Sequence, residues 1–522
     1  MRPFTVLVLW AATAAVSCGP LRERADNRPN ILLVVADDLG YSDLAPYGGE
    51  IETPNLDRLA RDGVRFTRYF TSNMCVPTRA SLLTGVYSNI ALDGATLRRD
   101  AVTAAELLGQ SRYQTYMAGK WHLASPGDRG GWPLQRGFER FYGTLLGAGS
   151  YYAPASLMRD NDDASADAQR PDFYYTDAIS TAAESYIRAA SRSPRPFFLY
   201  VAYTAAHWPL HAPESAVAKY TGRYAEGWDR LRERRHERMK QLGVVRPEWP
   251  LSPRHPTVPA WEREQDKQWQ QRRMEVYAAQ IEIMDHGLGR LLRALEETGR
   301  LENTLILFQS DNGGCHVEYA PDRKGDYLPE RTRDGRPLRP GNLPEITPGP
   351  EDTYQSYGGG WANLSNTPFR LFKQHDHQGG IQSPLIAHWP AKINTPGRIV
   401  DEVAHVIDIT PTLLDAAGVD HPARFHGEPV LLMDGKSLLP VLEGERRRAH
   451  DALFWKWAHG RAVRRDQWKL VAIDEGPWEL YRIDEDGTEQ RNLADKYPEV
   501  VRQLEVLWEA WNSRKAEDRR KR

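Results

Sequence analysis

Cysteine is scarce in this chain: the 522 residues hold only Cys18, Cys75 and Cys315. With Cys18 assigned to a leader, two remain, too few for a disulfide framework, and cysteine usage therefore does not reveal the compartment. Net charge is scarce too. The 68 Lys and Arg against 70 Asp and Glu leave −2, which removes the electrostatic footprint of a nucleic-acid binder. No apolar run is long enough to span a bilayer. There is no internal repeat, and no low-complexity tract ahead of a basic C-terminal end.

What is present suits a large globular chain. A chain of this length implies one large domain plus a smaller one, or two to three domains. The 41% hydrophobic and 10% aromatic content fills a sizeable core, and 36 prolines with 41 glycines suggest many ordered loops, as a loop-built site needs. Residues 1–26 read as a leader. A short basic start precedes an apolar stretch, then Ala15-Val16-Ser17-Cys18-Gly19. That pattern reads as a secretory signal, and small residues before Cys18 resemble a bacterial lipoprotein box. The expectation is export to the periplasm, either as a soluble product or as an outer-membrane lipoprotein anchored through Cys18.

Four apolar runs read as strands that end in polar residues. Asn30 to Ala36 is continuous and rich in branched side chains, as in a strand buried on both faces; it ends in Asp37-Asp38. A run after Tyr113 ends in Gly119-Lys120-Trp121-His122, and one after Pro196 ends at His207. One after Asn303 ends in Asp311-Asn312-Gly313-Gly314. Ligands of open α/β sheets gather at the carboxyl ends of strands. Adjacent carboxylates repel unless a positive group lies between them. Asp37, Asp38, Asp311 and Asn312 are all oxygen donors at strand ends, which suits a hard divalent cation, calcium or magnesium; calcium is the expected cofactor, magnesium the second choice. His207 and His211 have zinc-pair spacing, but Pro209 between them opposes a helix. His375-Asp376-His377 lacks a second cluster with zinc spacing.

Cys75-Val76-Pro77-Thr78-Arg79 opens a helix, with Pro77 in its first turn and Gly85 as the stop. Cysteine at a helix N-terminus beside arginine sits in positive potential. Together with Ala80-Ser81-Leu82-Leu83-Thr84-Gly85, the stretch resembles the signature of type I, formylglycine-dependent sulfatases, bacterial arylsulfatase-like branch. The resemblance covers nearly the whole chain after the leader, with the motifs in the family's order. It implies an α/β fold, an alkaline-phosphatase-like α/β/α sandwich over residues 27–425, with a small antiparallel-sheet domain over 426–522.

The resemblance also assigns roles. A maturation enzyme oxidises Cys75 to Cα-formylglycine, whose hydrate attacks sulfur and also contacts the metal held by Asp37, Asp38, Asp311 and Asn312. Arg79 holds the hydrate. Lys120, His122 and Lys373 contact the sulfate, His207 protonates the leaving oxygen, and Asp311 accepts the proton of the attacking hydroxyl. His122 also assists release of sulfate. The family's usual glutamate after Lys373 is replaced by Gln378, and Arg112 stands where glycine is common.

The expected reaction is hydrolysis of an aryl or carbohydrate sulfate. A phosphoester or phosphonate hydrolase of the same superfamily and a non-catalytic binder of sulfated glycans are the alternatives. Trp132, Tyr151, Trp208 and Trp361 are expected at the substrate rim, Cys315 in the pocket wall, and the loop 321–350 as a lid or wall.

Overall fold

A computed structural model describes residues 26–520. The leader, with Cys18, lies outside the described residues. Among those described, no helix is long and apolar enough to cross a membrane.

The centre is a ten-stranded mixed sheet. Its strands in chain order are β1 (Asn30–Ala36), β2 (Val64–Phe66), β3 (Gln114–Lys120), β4 (Arg140–Thr144) and β5 (Leu157–Arg159). They continue with β6 (Asp162–Asp163), β7 (Phe197–Ala202), β8 (Thr304–Ser310), β9 (Leu385–His388) and β10 (Arg398–Val400). The spatial order is β10-β2-β9-β8-β1-β7-β3-β4-β5-β6. β8, β1, β7, β3 and β4 run parallel, with Val34 beside Val201 on one side and Phe308 on the other. β9 is antiparallel to β8. The parallel centre explains why these strands read as unbroken apolar runs: both of their faces are covered.

Alternation along β1 separates the two layers. Leu32, Val34 and Ala36 face a core that includes Leu56 and Leu59 of α1 (Pro54–Asp62) and Ile281 and Leu288 of a long helix. Ile31, Leu33 and Val35 face the opposite core, with Ala80 and Leu83 of α2 (Cys75–Thr84) and Leu108 of α3 (Ala104–Gln110). Burying each of these large side chains contributes about 1.5–3 kcal/mol. Further helices are α4 (Tyr175–Ala190), α5 (Gly227–Gln241), α6 (Lys267–Glu297) and α7 (Ile409–Ala417). α6 carries the apolar stripe Ile281, Met284, Leu288, Leu291 and Leu295, all buried. Its first turns, from Lys267 to Arg272, are mostly polar.

A four-stranded antiparallel sheet follows: β11 (Leu453–Trp457), β12 (Gly460–Arg465), β13 (Trp468–Ile473) and β14 (Glu479–Arg482). Its core joins Trp508 and Trp511 of α8 (Pro498–Arg520) to Phe70, Tyr87 and Ile381 from the large sheet's loops.

Two rim expectations are corrected. Trp361 is fully buried, its ring 5.2 Å from Trp228 and 5.7 Å from Trp261. The insertion carrying α5 closes over it, which no local pattern around residue 361 reveals. Tyr151 is also buried, and its hydroxyl donates to the carbonyls of Thr204 and His207 at 2.7 and 2.8 Å. It braces the segment before Trp208. Trp208 itself is partly exposed, as is Trp132.

Candidate active site

The parallel strands deliver their polar ends to one buried cluster. Asp37 and Asp38 follow β1, Lys120 ends β3, and Asp311 and Asn312 follow β8. α2 enters from the other side with Cys75 as its first residue. Gly85, at φ 71°, closes that helix with its N–H on the Ser81 carbonyl, 2.9 Å away. All these residues are nearly inaccessible to solvent.

Every residue expected in the site is brought together. Lys120 Nζ is 2.6 Å from Asp37 Oδ2, and Lys373 Nζ is 2.6 Å from Asp38 Oδ1. Arg79 donates to Asp311 Oδ2 from Nε and Nη2 at 3.1 and 2.8 Å, and from Nη1 to the Lys120 carbonyl and Tyr200 hydroxyl. Asn312 Nδ2 donates to Asp38 Oδ1 at 2.7 Å, and the Asp38 N–H reaches Asp311 Oδ1 at 3.2 Å. Cys75 Sγ lies 3.4 Å from His122 Nδ1. Asp38 and His122 both sit in left-handed backbone, at φ 59° and 57°. Such strain costs about 1–3 kcal/mol per residue and persists where surrounding structure enforces it.

Three oxygens in this cluster have no partner: Asp37 Oδ1, Asp38 Oδ2 and Asn312 Oδ1. An unmatched buried acceptor costs several kcal/mol, more when charged. His207 sharpens the point. Its Nδ1 is 2.6 Å from the Trp208 carbonyl, which can only accept, so Nδ1 carries the hydrogen. Nε2 then faces the unpartnered Asp38 Oδ2 at 3.5 Å. A bare imidazole nitrogen and a carboxylate oxygen repel, unless a proton or a cation lies between them. Asp37, Asp38 and His207 offer ligand atoms within 4.8 Å of one another. The bare oxygens of Asp37, Asp38 and Asn312 fit a hard divalent cation, with His207 at its edge.

The electrostatics follow from burial and pairing. Burial raises Asp38, but Lys373 and His207 overcome it and hold the carboxyl below the usual range. Burial and then the Asp37 charge raise Asp311 above that range, against Arg79. Burial opposes the Lys373 ammonium, yet Asp38 raises its affinity for the proton. Burial, then Lys120 and Arg79, lower His122. Burial lowers His207 to about 3 against the pull of Asp38. Cys315 is buried and pushed up to about 12, mainly by desolvation and then by Asp38; this thiol is inert wall.

Some participants carry no local signal. Tyr200, inside β7, gives Arg79 a hydroxyl partner from an otherwise apolar strand. Gly147 packs on His122: a side chain there would meet the ring at 2.1–2.3 Å. His211 is support, its Nε2 2.6 Å from the Thr353 carbonyl and its Nδ1 accepting the Tyr151 N–H at 3.3 Å.

Residues 29–419 match the Sulfatase family model. This chain belongs to the sulfatase family. A second model, for the C-terminal region of N-sulphoglucosamine sulphohydrolase, matches residues 369–513. The sulfatase is 34% identical to an uncharacterized sulfatase of Schizosaccharomyces pombe, over 93% of this chain and 94% of that one. It is equally identical to an arylsulfatase of Klebsiella aerogenes, over 84% of this chain and 97% of that one. Its fold matches a solved structure holding its substrate D-glucosamine-2-N,6-O-disulfate, with TM-score 0.64, 22% identity and coverage of 94% and 98%. The sandwich and the small C-terminal sheet are thus those of the alkaline-phosphatase-like sulfatases, and the protein is a sulfuric ester hydrolase.

Proposed function

We propose that this sulfatase hydrolyses an aryl or carbohydrate sulfate to alcohol and inorganic sulfate, with Cα-formylglycine made from Cys75 as nucleophile. Asp37, Asp38, Asp311, Asn312 and residue 75 would hold a divalent cation, calcium in preference to magnesium. The observation that carries this reading is the trio of partnerless buried oxygens, set among two lysines, an arginine and two histidines beside Cys75.

A hydrated formylglycine would supply one hydroxyl to attack and a second that, on losing its proton, restores the aldehyde and expels sulfate, which serine or cysteine lacks; the cation would supply positive charge at the reacting oxygens. The remaining work belongs to the chain. A sulfate ester brings one negative charge, and its leaving oxygen gains charge as the S–O bond breaks. Lys120 and Lys373, both ammonium groups held by carboxylates, present positive charge to the sulfuryl oxygens. Arg79 fixes Asp311, whose raised proton affinity suits it to accept the proton of the attacking hydroxyl. His207 donates a proton from Nε2 to the leaving oxygen, and the incoming anion offsets the burial that disfavours its charged form. His122, neutral and next to residue 75, assists regeneration. The sulfated group of the solved relative's substrate supports a sulfated ring as ligand here. Maturation by a formylglycine-generating enzyme and export by residues 1–26, to a soluble periplasmic product or to an outer-membrane lipoprotein anchored through Cys18, complete the reading.

The test is mass spectrometry of the Cys75 peptide from protein made with a maturation enzyme, with sulfate release measured on the same sample. Aldehyde at residue 75 and turnover of aryl sulfate above the matching aryl phosphate are expected. An unmodified thiol in protein that still turns over sulfate would sink the nucleophile assignment. Faster phosphate hydrolysis would favour the phosphohydrolase alternative, and binding without turnover the non-catalytic one.

A further inference from the structure

Among the described residues, a guanidinium without a carboxylate partner, Arg323, stands beside the proposed proton donor. Trp208 follows His207, and their ring centroids are 4.3 Å apart. The loop after Cys315 folds back over Trp208: Tyr319 lies 5.2 Å and Tyr327 5.4 Å from its ring. Arg323 of that loop lies 4.9 Å over the Trp208 ring and 5.2 Å over Tyr319. Its Nε donates to the Tyr327 hydroxyl at 3.1 Å. Among the described residues, its two terminal nitrogens have no hydrogen-bond or ion-pair partner, and neither Asp322 nor Asp326 pairs with it. The other guanidinium groups of the loop are tied down. Arg333 clamps Glu351, Arg339 pairs with Asp352, Arg336 bridges Asp334 and Asp352, and Arg331 donates to the Gly335 carbonyl.

We infer that Arg323, held over Trp208 and Tyr319, recognises a second anionic group, a carboxylate or a further sulfate, on the alcohol released by hydrolysis. The inference rests on His207 acting on the leaving oxygen. A leaving group that receives its proton from His207 meets Trp208 next, and the guanidinium beyond it. The two rings and the bond from Nε to Tyr327 restrain the side chain and lower the cost of ordering it. Two parallel N–H donors then match the two oxygens of a carboxylate or sulfate. A neutral aryl or sugar ring would use the tryptophan face and leave the cation unmatched.

The test uses the matured enzyme and two sulfate esters of nearly equal shape, 3-carboxyphenyl sulfate and 3-carbamoylphenyl sulfate. The wild type should prefer the carboxylate in kcat/KM. Arg323→Met should lose that preference by roughly tenfold to a hundredfold, the worth of a hydrogen bond to a charged group, while the carbamoyl ester changes little. Arg323→Lys should retain part of it. A further pair, monosulfated disaccharides with glucuronate or glucose as the released sugar, and a third, a vicinal disulfate against its monosulfate, distinguish carboxylate from sulfate as the source of the anion. Equal rates on the aryl esters and on both sugar pairs in the wild type, or an equal loss on every ester in Arg323→Met, would overturn the inference. Should Arg323→Met not fold, the wild-type and Arg323→Lys ratios decide. Absence of sulfate release from every ester would instead overturn the sulfatase chemistry itself, and this inference with it.

Discussion

Two buried clusters of carboxylate and cation, one at the carboxyl ends of β1 and β8 and one at Asp408 ahead of α7, differ in how far they are closed. Asp408 is inaccessible to solvent, and each oxygen is matched twice. Oδ1 accepts from the Lys436 N–H at 2.9 Å and His450 Nε2 at 2.7 Å. Oδ2 accepts from the His405 N–H and Arg447 Nη2, both at 2.9 Å. The Asp37–Asp38–Asp311 cluster is equally buried, yet keeps Asp37 Oδ1, Asp38 Oδ2 and Asn312 Oδ1 unmatched and two residues in left-handed backbone. What sets the open cluster apart is where its bare acceptors lie: side by side with Lys120, Lys373 and Arg79, at the carboxyl ends of β1 and β8. The closed cluster stabilises the fold; the open one is shaped for something brought in.

The largest expected effect breaks the open cluster's chemistry. Cys75→Ala should lower sulfate release by at least about 10⁴-fold, the scale of losing a covalent nucleophile, with the thermal midpoint within a few degrees of the parent. Measured sulfate release near the parent rate would dismiss residue 75 as the reacting group.

Next comes a direct exchange between the clusters. Asp38→Asn should abolish most activity, and it also costs stability because it leaves the buried Lys373 ammonium without its carboxylate. Asp408→Asn should spare the chemistry: about 3–5 kcal/mol lost in urea unfolding, as when one partner of a buried pair is removed, with kcat per folded molecule near the parent's. If the two variants lose activity and stability in the same proportion, the division between clusters is wrong. A chelator adds to the contrast. It should inactivate the parent and restore activity on addition of calcium, with a lowered thermal midpoint in between.

A third effect is on the leaving group. His207→Asn should slow poor leaving groups by about 10²–10⁴-fold and good ones far less, measured as kcat/KM on phenyl against 4-nitrophenyl sulfate. Equal losses on both would remove His207 as the proton donor.

Acid sharpens the comparison further. Burial would raise Asp408, but His450 and Arg447 hold it down to about 2, below the usual 3.8. A carboxyl depressed in the folded state contributes stability above its unfolded pKa and loses it as pH falls through the folded one. The contribution, about 2 kcal/mol, should vanish between roughly pH 4 and pH 2. The stability gap between parent and Asp408→Asn should therefore narrow over that window; a constant gap would mean that ionisation of Asp408 contributes nothing.

How much of this was legible in the sequence follows from range. Asp37-Asp38, Lys120-Trp121-His122 and Asp311-Asn312 stand directly after apolar runs, so each announces itself within ten residues. Cys75 is marked by Pro77, Arg79 and Gly85. The Asp408 cluster is different: its partners are spread from His405 to His450, and none sits in a pattern of its own. Trp361 reads like Trp208 locally, and only the packing of α5 over it puts one in the core and the other at the mouth.

The smallest effect concerns Gln378, where the family's usual glutamate is missing. Its side chain is buried, with Oε1 accepting from Lys469 Nζ at 3.1 Å. The same ammonium donates to Glu489 Oε1 at 2.7 Å, while Glu489 Oε2 accepts the Gln378 N–H at 2.8 Å. The carboxylate of this region thus comes from position 489, more than a hundred residues along the chain. A glutamate at 378 would set two carboxylates against one lysine in a buried space. Gln378→Glu should accordingly cost about 1–3 kcal/mol. Adding Glu489→Gln should return most of it, a coupling that only neighbours sharing one partner show. Both variants should keep kcat/KM near the parent's, since Lys373 is held by Asp38. Stabilisation by Gln378→Glu alone, read from urea midpoints, would mean that the glutamine is no substitute balanced by Glu489.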